Sequence, residues 1–316
     1  MSDNKEYDIN TCFADNIKKF RKTFWSILKD WEKDSFEYIY SALPDPDAVS
    51  EKLYIFHEEL WKKQCKNNPE VCKVWNGNAY QLNITDKQLS LGSDSFINIY
   101  WHWECMQKIM DKVKAEIQSA PEYKRFEKDA EQLDEGLKTL RCYDENWKEN
   151  NPFKLFIWRY LQISNTIGGF IVFPRHNRGS INTKRGNPNG KIKDRFDLTL
   201  ECIRRYYITQ DNPLFTHIDK DDEVFFEMFG SFKNYIDFFC LQDWVNDNYE
   251  VLDLLGDTAT TPLDADKVWK DNKILPCDFD EKEKVKKWWN LYHNLMYRLE
   301  KRNGSIEKIL NQKLNP

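Results

Sequence analysis

The sequence has no long apolar run and no excess of positive charge, and both absences narrow the range of functions that the protein can have. No stretch approaches the roughly 18 apolar residues that cross a bilayer, and residues 1–10 are charged without an apolar run. We therefore expect a cytoplasmic protein with no membrane partner. The formal net charge is −5, whereas non-specific coating of nucleic acid needs a broad cationic face. Only a local basic patch could bind phosphate.

Familiar catalytic and metal motifs are absent too. The eight cysteines form no Cys-x-x-Cys pair and show no cysteine and histidine spacing typical of zinc. Gly168-Gly169 lacks the phosphate-loop pattern, no His-Glu-x-x-His occurs, and the five histidines are not paired at ligand spacing. We therefore expect reduced cysteines and no zinc site. The common nucleotide hydrolase, dinucleotide-binding and zinc hydrolase classes are disfavoured.

Aromatic residues are abundant, at 15% of the chain with 12 tryptophans, and hydrophobic residues reach 41%. This composition is sufficient for a substantial core. The rings have two interpretations, because they can form a thick aromatic core or lie exposed and stack on a base or a partner. Neither composition nor spacing decides between them.

Apolar residues recur mostly at helical spacing, which predicts a mainly α fold with a small β component (α+β). The expected core is helical and bundle-like, with a short hairpin around Asn76-Gly77 and one or two buried strands, the clearest at residues 167–173. Ser93 and Asp94 are predicted to cap a helix that follows them. We expect one compact domain over residues 1–316, or two packed halves, residues 1–150 and 151–316.

The basic segment, residues 174–205, is the strongest functional signal. It carries nine lysines and arginines, with glycine and asparagine positions that can turn backbone N–H groups towards an anion. Such a loop between a strand and a helix suits a phosphate, and the alternative is a solvated mobile loop. The predicted ligand-binding residues are Arg175, Arg178, Asn182, Lys184, Arg185, Asn187, Arg195 and Arg204.

The helix predicted at residues 193–207 carries carboxylates beside these cations. Asp194, Asp197 and Glu201 are spaced by three and four residues, which places them on one face. Such carboxylates can act as a general base or bind Mg²⁺, the one cofactor that we consider. His176 is added as a candidate acid or base because its neighbours are polar. The alternative is an ion-pair network in which Asp197 or Glu201 binds Arg204 and Arg205.

An ordered series of motifs covers most of the chain. The motifs are DPD at 45–47 with LW at 60–61, LGSDS at 91–95, TIGGFIVFP at 166–174, RGN at 185–187, DRFDLTLECIR at 194–204, and FGSF at 229–232 with QD at 242–243. The series resembles an uncharacterised prokaryotic family classed as a domain of unknown function. The resemblance implies a bacterial, cytoplasmic protein and carries over no known reaction. By analogy, such patchily distributed families often belong to accessory or phage-defence gene sets.

Three hypotheses follow from this charge distribution. The first is a nucleic-acid- or nucleotide-directed bacterial effector, such as an RNA nuclease or a nucleotide-modifying enzyme of a defence or toxin system, with phosphates on the basic segment. The second is a non-catalytic binding protein that uses the basic segment and the acidic residues 211–283 to engage a macromolecular partner. In the third, the opposite charges only hold the protein's own parts together.

Overall fold

The computed structural model describes residues 51–69, 75–78, 80–84, 87–96, 160, 163–164, 166–175, 181–186, 190–215 and 220–312. The helices are α1 Glu51–Asn67, α2 Ile181–Arg185, α3 Phe196–Tyr207, α4 Lys220–Glu227, α5 Phe232–Phe238, α6 Ala265–Asp271 and α7 Glu281–Asn311. The strands are β1 Trp75–Asn78, β2 Gln81–Ile84, β3 Lys87–Ser95 and β4 Phe170–Pro174. This confirms the predicted mainly α fold with a small β component.

The four strands form one antiparallel sheet in the order β1-β2-β3-β4. The predicted hairpin is present, but Asn76-Gly77 lies inside β1, where the pairing with β2 is irregular, and not in the turn. Asp94 pairs with Ile171 within the β3 and β4 ladder, followed by one more pair, Ser95 with Phe170. The predicted helix cap at Ser93 and Asp94 is therefore wrong, because the strand continues to Ser95.

The long C-terminal helix α7 is anchored at both ends. Asp280 caps its start by accepting bonds from the backbone N–H groups of Lys282 and Glu283. At its end, the Lys63 ammonium of α1 donates to the Leu310 carbonyl and, at 2.9 Å, to that of Gln312. A cation at this end complements the helix dipole.

A short 3-10 turn, Ile167–Gly169, precedes β4 and is bound by side chains of α7. The backbone N–H of Gly168 donates to the Asn303 carboxamide oxygen at 2.8 Å, and the Asn303 amide donates to the Thr166 hydroxyl at 2.6 Å. The Arg302 guanidinium donates to the carbonyls of Gly168 and Phe170 at 2.8 and 2.6 Å. These bonds fix the entry of the chain into β4.

Aromatic rings pack inside the described part of the protein. Phe96, Phe196 and Trp244 are almost fully buried and lie with ring centroids 3.9 to 5.0 Å apart. Trp61, Trp288 and Trp289 are buried too. For the described rings the core interpretation therefore holds, with Tyr54 and Tyr297 the aromatic exceptions that stay exposed.

The cysteines differ in part from the expectation. Cys65 and Cys277 are disulfide-bonded, so the prediction of reduced cysteines is wrong for these two. Cys202 and Cys240 are free and buried, and burial raises the pKa of each thiol, which suits small apolar residues rather than nucleophiles. No helix in the described ranges is long and apolar enough to cross a membrane.

Candidate functional site

The described part of the basic segment comprises the end of β4, α2, a turn at residues 190–194 and α3. The turn determines which groups the charged side chains contact. Lys193 and Asp194 both adopt left-handed backbone conformations, with φ of 46° and 62°. Helix α3 therefore begins at Phe196, three residues later than the predicted start. Each such residue costs about 1 kcal/mol or more, and strain of this kind often marks functional sites. The turn returns the chain so that the Asp194 N–H donates to the Arg185 carbonyl at 2.8 Å.

Arg185 is fully buried and its guanidinium is neutralised from two directions. One nitrogen, Nη1, contacts the carboxylates of Asp94 in β3 and Asp194 in the turn, the latter at 3.2 Å. Burial by itself lowers the pKa of Arg185, but the Asp194 and Asp94 carboxylates outweigh it and the pKa is raised. The remaining bonds go to neutral oxygens, namely the Ser95 carbonyl at 2.8 Å, the Phe96 carbonyl at 2.7 Å and the Thr199 hydroxyl at 3.2 Å.

Arg195 forms a second buried ion pair, with Asp197 and Asp253. Its guanidinium binds both oxygens of the Asp197 carboxylate and, at 2.8 Å, the carboxylate of Asp253. Asp197 also accepts bonds from the backbone N–H groups of Leu198 and Leu254, at 3.0 and 2.9 Å. Asp197 therefore orients Arg195 and the chain around residue 254, and all its oxygens are occupied by internal donors.

Glu201 forms the ion-pair network that was the alternative to catalysis. Its carboxylate binds Arg204 in a bidentate manner, at 2.7 and 2.9 Å, and Arg205 at 2.8 Å. Arg205 also reaches Asp266 of α6 at 3.0 Å and lies 4.7 Å from the centre of the Trp269 ring. Glu201 is thus a bridging residue between two arginines.

The basic segment is docked on the acidic region, residues 211–283, and four of the contacts show how. Arg195 meets Asp253, Arg205 meets Asp266, and the Lys193 ammonium lies 3.4 Å from Asp278. The fourth is a reciprocal pair: the Lys191 ammonium donates to the Trp269 carbonyl, and the Trp269 indole to the Lys191 carbonyl, both at 3.0 Å. This is the geometry that the third hypothesis requires.

The predicted site residues thus fall into three groups. Asp194, Asp197, Glu201, Arg185 and Arg195 are buried in the ion pairs above, so a phosphate on either arginine would have to displace an internal carboxylate. A second group remains accessible and consists of the exposed Arg175 and the partly exposed Lys184 and Arg204. The third lies outside the described residues and comprises His176, Arg178, Asn187 and the side chain of Asn182.

Asp94 and Asp253, the acidic partners of the two buried arginines, are not among the predicted site residues. Asp94 is predicted to cap a helix, although it lies in the LGSDS motif. Asp253 lies 58 residues from Arg195 along the chain, and no local pattern signals such a contact. Among the described side chains, no group of three or more His, Cys, Asp or Glu residues is placed to hold a metal ion. A role for Mg²⁺ therefore stays a prediction.

The comparison with protein families agrees with the motifs. A model for a family of unknown function, DUF6994, matches residues 29–131 and 138–300. The chain belongs to DUF6994. No curated protein and no solved structure matches it. The resemblance to an uncharacterised family is thus confirmed, and the activity of this DUF6994 member has to be argued from its own residues.

Proposed function

We propose that this DUF6994 member is a non-catalytic binding protein whose acidic surface engages a cationic protein partner. The proposal rests on one observation: arginines of the basic segment are bound inside the protein, whereas many acidic side chains lie at the surface. The arginines Arg185, Arg195 and Arg205 are used in internal ion pairs. Residues 211–283 contain nineteen acidic and six basic residues, and in their described part eleven acidic side chains are exposed against four basic ones.

The excess of exposed acidic side chains favours a basic protein over a nucleic acid as the binding partner. An acidic surface repels phosphates, and it raises the rate at which a lysine- or arginine-rich partner associates, especially at low ionic strength. The exposed acids include Asp266, whose side chain is 77% exposed although it already binds Arg205. The partner class is therefore a cationic protein segment that is steered by charge.

The nucleotide- or RNA-directed enzyme is the second candidate, and one observation favours it. Asp94 and Asp194 come from distant parts of the chain and meet on one nitrogen of Arg185, beside the two consecutive left-handed residues. Asp94 keeps 19% of its side chain exposed. A carboxylate in this position can serve as a general base for a bound substrate.

A binding experiment separates the two candidates. A fluorescent lysine-rich peptide and a single-stranded RNA of similar length are titrated with the protein at low and physiological salt. We expect the peptide to bind, and the triple variant Glu227→Lys, Asp247→Lys, Asp271→Lys to weaken this binding roughly tenfold at low salt. The matched control is Glu59→Lys, Glu300→Lys, Glu307→Lys, which changes the net charge equally outside residues 211–283 and should have a much smaller effect.

A different binding result would contradict the proposal. RNA binding that is tighter than peptide binding, and that Arg175→Ala weakens, would contradict the proposal and favour the nucleic-acid-directed candidate. Arg175 is the informative position because it is exposed. Arg185→Ala would leave the buried carboxylate of Asp194 and the partly buried carboxylate of Asp94 without their cation, so its effect would report on folding and not on ligand binding.

A further inference from the structure

His57 is buried at the junction of α1, the β1 and β2 hairpin and α7. Only 4% of the residue is exposed, and its Nδ1 atom shares a hydrogen bond of 2.8 Å with the Tyr80 hydroxyl. Its Nε2 atom is buried without a hydrogen bond of good geometry, and among the described residues the Phe170 backbone is the one neighbour that favours the protonated ring by raising its pKa. Helix α1 contacts α7, β1 and the 3-10 turn before β4. A movement of α1 at His57 would therefore alter its packing against all three elements.

The charged group that faces His57 is a cation. Arg302 of α7 is 1% exposed and makes no ion pair with any carboxylate of the described residues. Its guanidinium is held by backbone carbonyls, those of Phe239, Ile167, Gly168 and Phe170. The other titratable groups around this cation are the Cys240 thiol and the Tyr235 phenol, both neutral at physiological pH.

This environment opposes a second positive charge. Burial, and then repulsion by Arg302, lowers the pKa of His57 from 6.5 to about 3. Above about pH 3 a protonated imidazole is therefore disfavoured in this position and favoured in an open form, in which α1 has moved and His57 is in water. In mild acid, the open form binds a proton that the closed form does not bind.

We propose that His57 is the trigger of an acid-sensitive latch, in which protonation releases α1 from the sheet and from α7. The latch is a conformational device and does not depend on the partner class proposed above. Opening it would also free the Lys63 ammonium from the end of α7, because Lys63 lies on the same helix.

The direction and size of the effect follow from proton linkage. The open form has the ordinary pKa of His57 and the closed form the lowered one, so closure is strongest above pH 6.5 and weakens as the pH falls towards 3. From pH 7 to pH 5, the equilibrium constant for opening should rise roughly 25-fold. Groups elsewhere do not contribute if they titrate equally in both forms.

Amide hydrogen exchange of α1, corrected for the intrinsic pH dependence of exchange, measures this opening. We expect the roughly 25-fold rise between pH 7 and pH 5 in the wild type and its loss in His57→Asn. Asparagine preserves the hydrogen bond to Tyr80 and does not titrate. The control His293→Asn removes a histidine of α7 that stacks on Trp289, and it should behave like the wild type.

Two outcomes would overturn the latch. One is an α1 opening constant that does not change with pH in the wild type, and the other is an unchanged rise in His57→Asn. Amides of α3 serve as an internal reference, since opening of the whole molecule would increase exchange there as well. Should His57→Asn not fold, His57→Phe provides a second variant that fills the ring volume without a titratable nitrogen.

Discussion

Replacement of Arg195 by methionine should destabilise the protein by about 4 kcal/mol, because it leaves two carboxylates in the interior without their cation. Asp197 is fully buried and Asp253 is mostly buried, and both rely on the Arg195 guanidinium. Burial raises the pKa of Asp253 and Arg195 lowers it, so removal of Arg195 leaves burial unopposed by this cation. Urea unfolding followed by tryptophan fluorescence measures the change in the free energy of unfolding.

Arg204→Met is the matched control, because Arg204 also binds a carboxylate but lies partly in solvent. Arg204 is one quarter exposed, and without it the Glu201 carboxylate keeps its ion pair with Arg205, so we expect a loss of less than about 1 kcal/mol. Equal effects of the two substitutions would contradict the account, because only the loss of Arg195 removes the arginine from a buried pair to which no second arginine of the described residues is bound.

Substitution of Gly169 by alanine is expected to cost about 3 kcal/mol or more, because an added Cβ has no space. That atom would lie 1.9 Å from the Ser164 carbonyl oxygen, which is backbone and cannot rotate away. The chain would have to shift where the 3-10 turn enters β4. The Gly168 N–H bond to Asn303 and the Arg302 bond to the Gly168 carbonyl both depend on this geometry.

Gly304→Ala is expected to stabilise the protein, in contrast to Gly169→Ala. Gly304 lies inside α7 with nothing within 4 Å of the added methyl group, so alanine should stabilise the helix by about 0.5 kcal/mol. Thermal unfolding of both variants tests the pair. A Gly169→Ala protein as stable as the wild type would show that the turn does not have this tight packing.

Much of the fold is predictable because its signals are local. The apolar periodicity of α7 and the run of β-branched and aromatic residues in β4 each identify an element from a short stretch of sequence. The left-handed pair Lys193 and Asp194 is not predictable in this way, since neither residue is glycine. The prediction therefore starts α3 three residues too early.

The candidate site is less predictable because its partners are distant along the chain. Nine cations in residues 174–205 suggest a phosphate loop, but composition does not reveal whether the protein itself supplies the anions. Asp94 reaches Arg185 across 91 residues, and Asp253 reaches Arg195 across 58. Ser93 and Asp94 also match a helix-cap pattern, and only the pairing of β3 with β4 overrides it.

Arginine-specific dicarbonyl labelling, located by peptide mass spectrometry, tests the central claim most directly, which is that the basic segment uses its buried arginines inside the protein. In the native protein we expect Arg175 and Arg204 to react, while Arg185 and Arg195 stay protected until urea unfolds the chain. Reaction of Arg185 and Arg195 at the rate of Arg175 under native conditions would contradict the claim and return these residues to the surface as phosphate ligands.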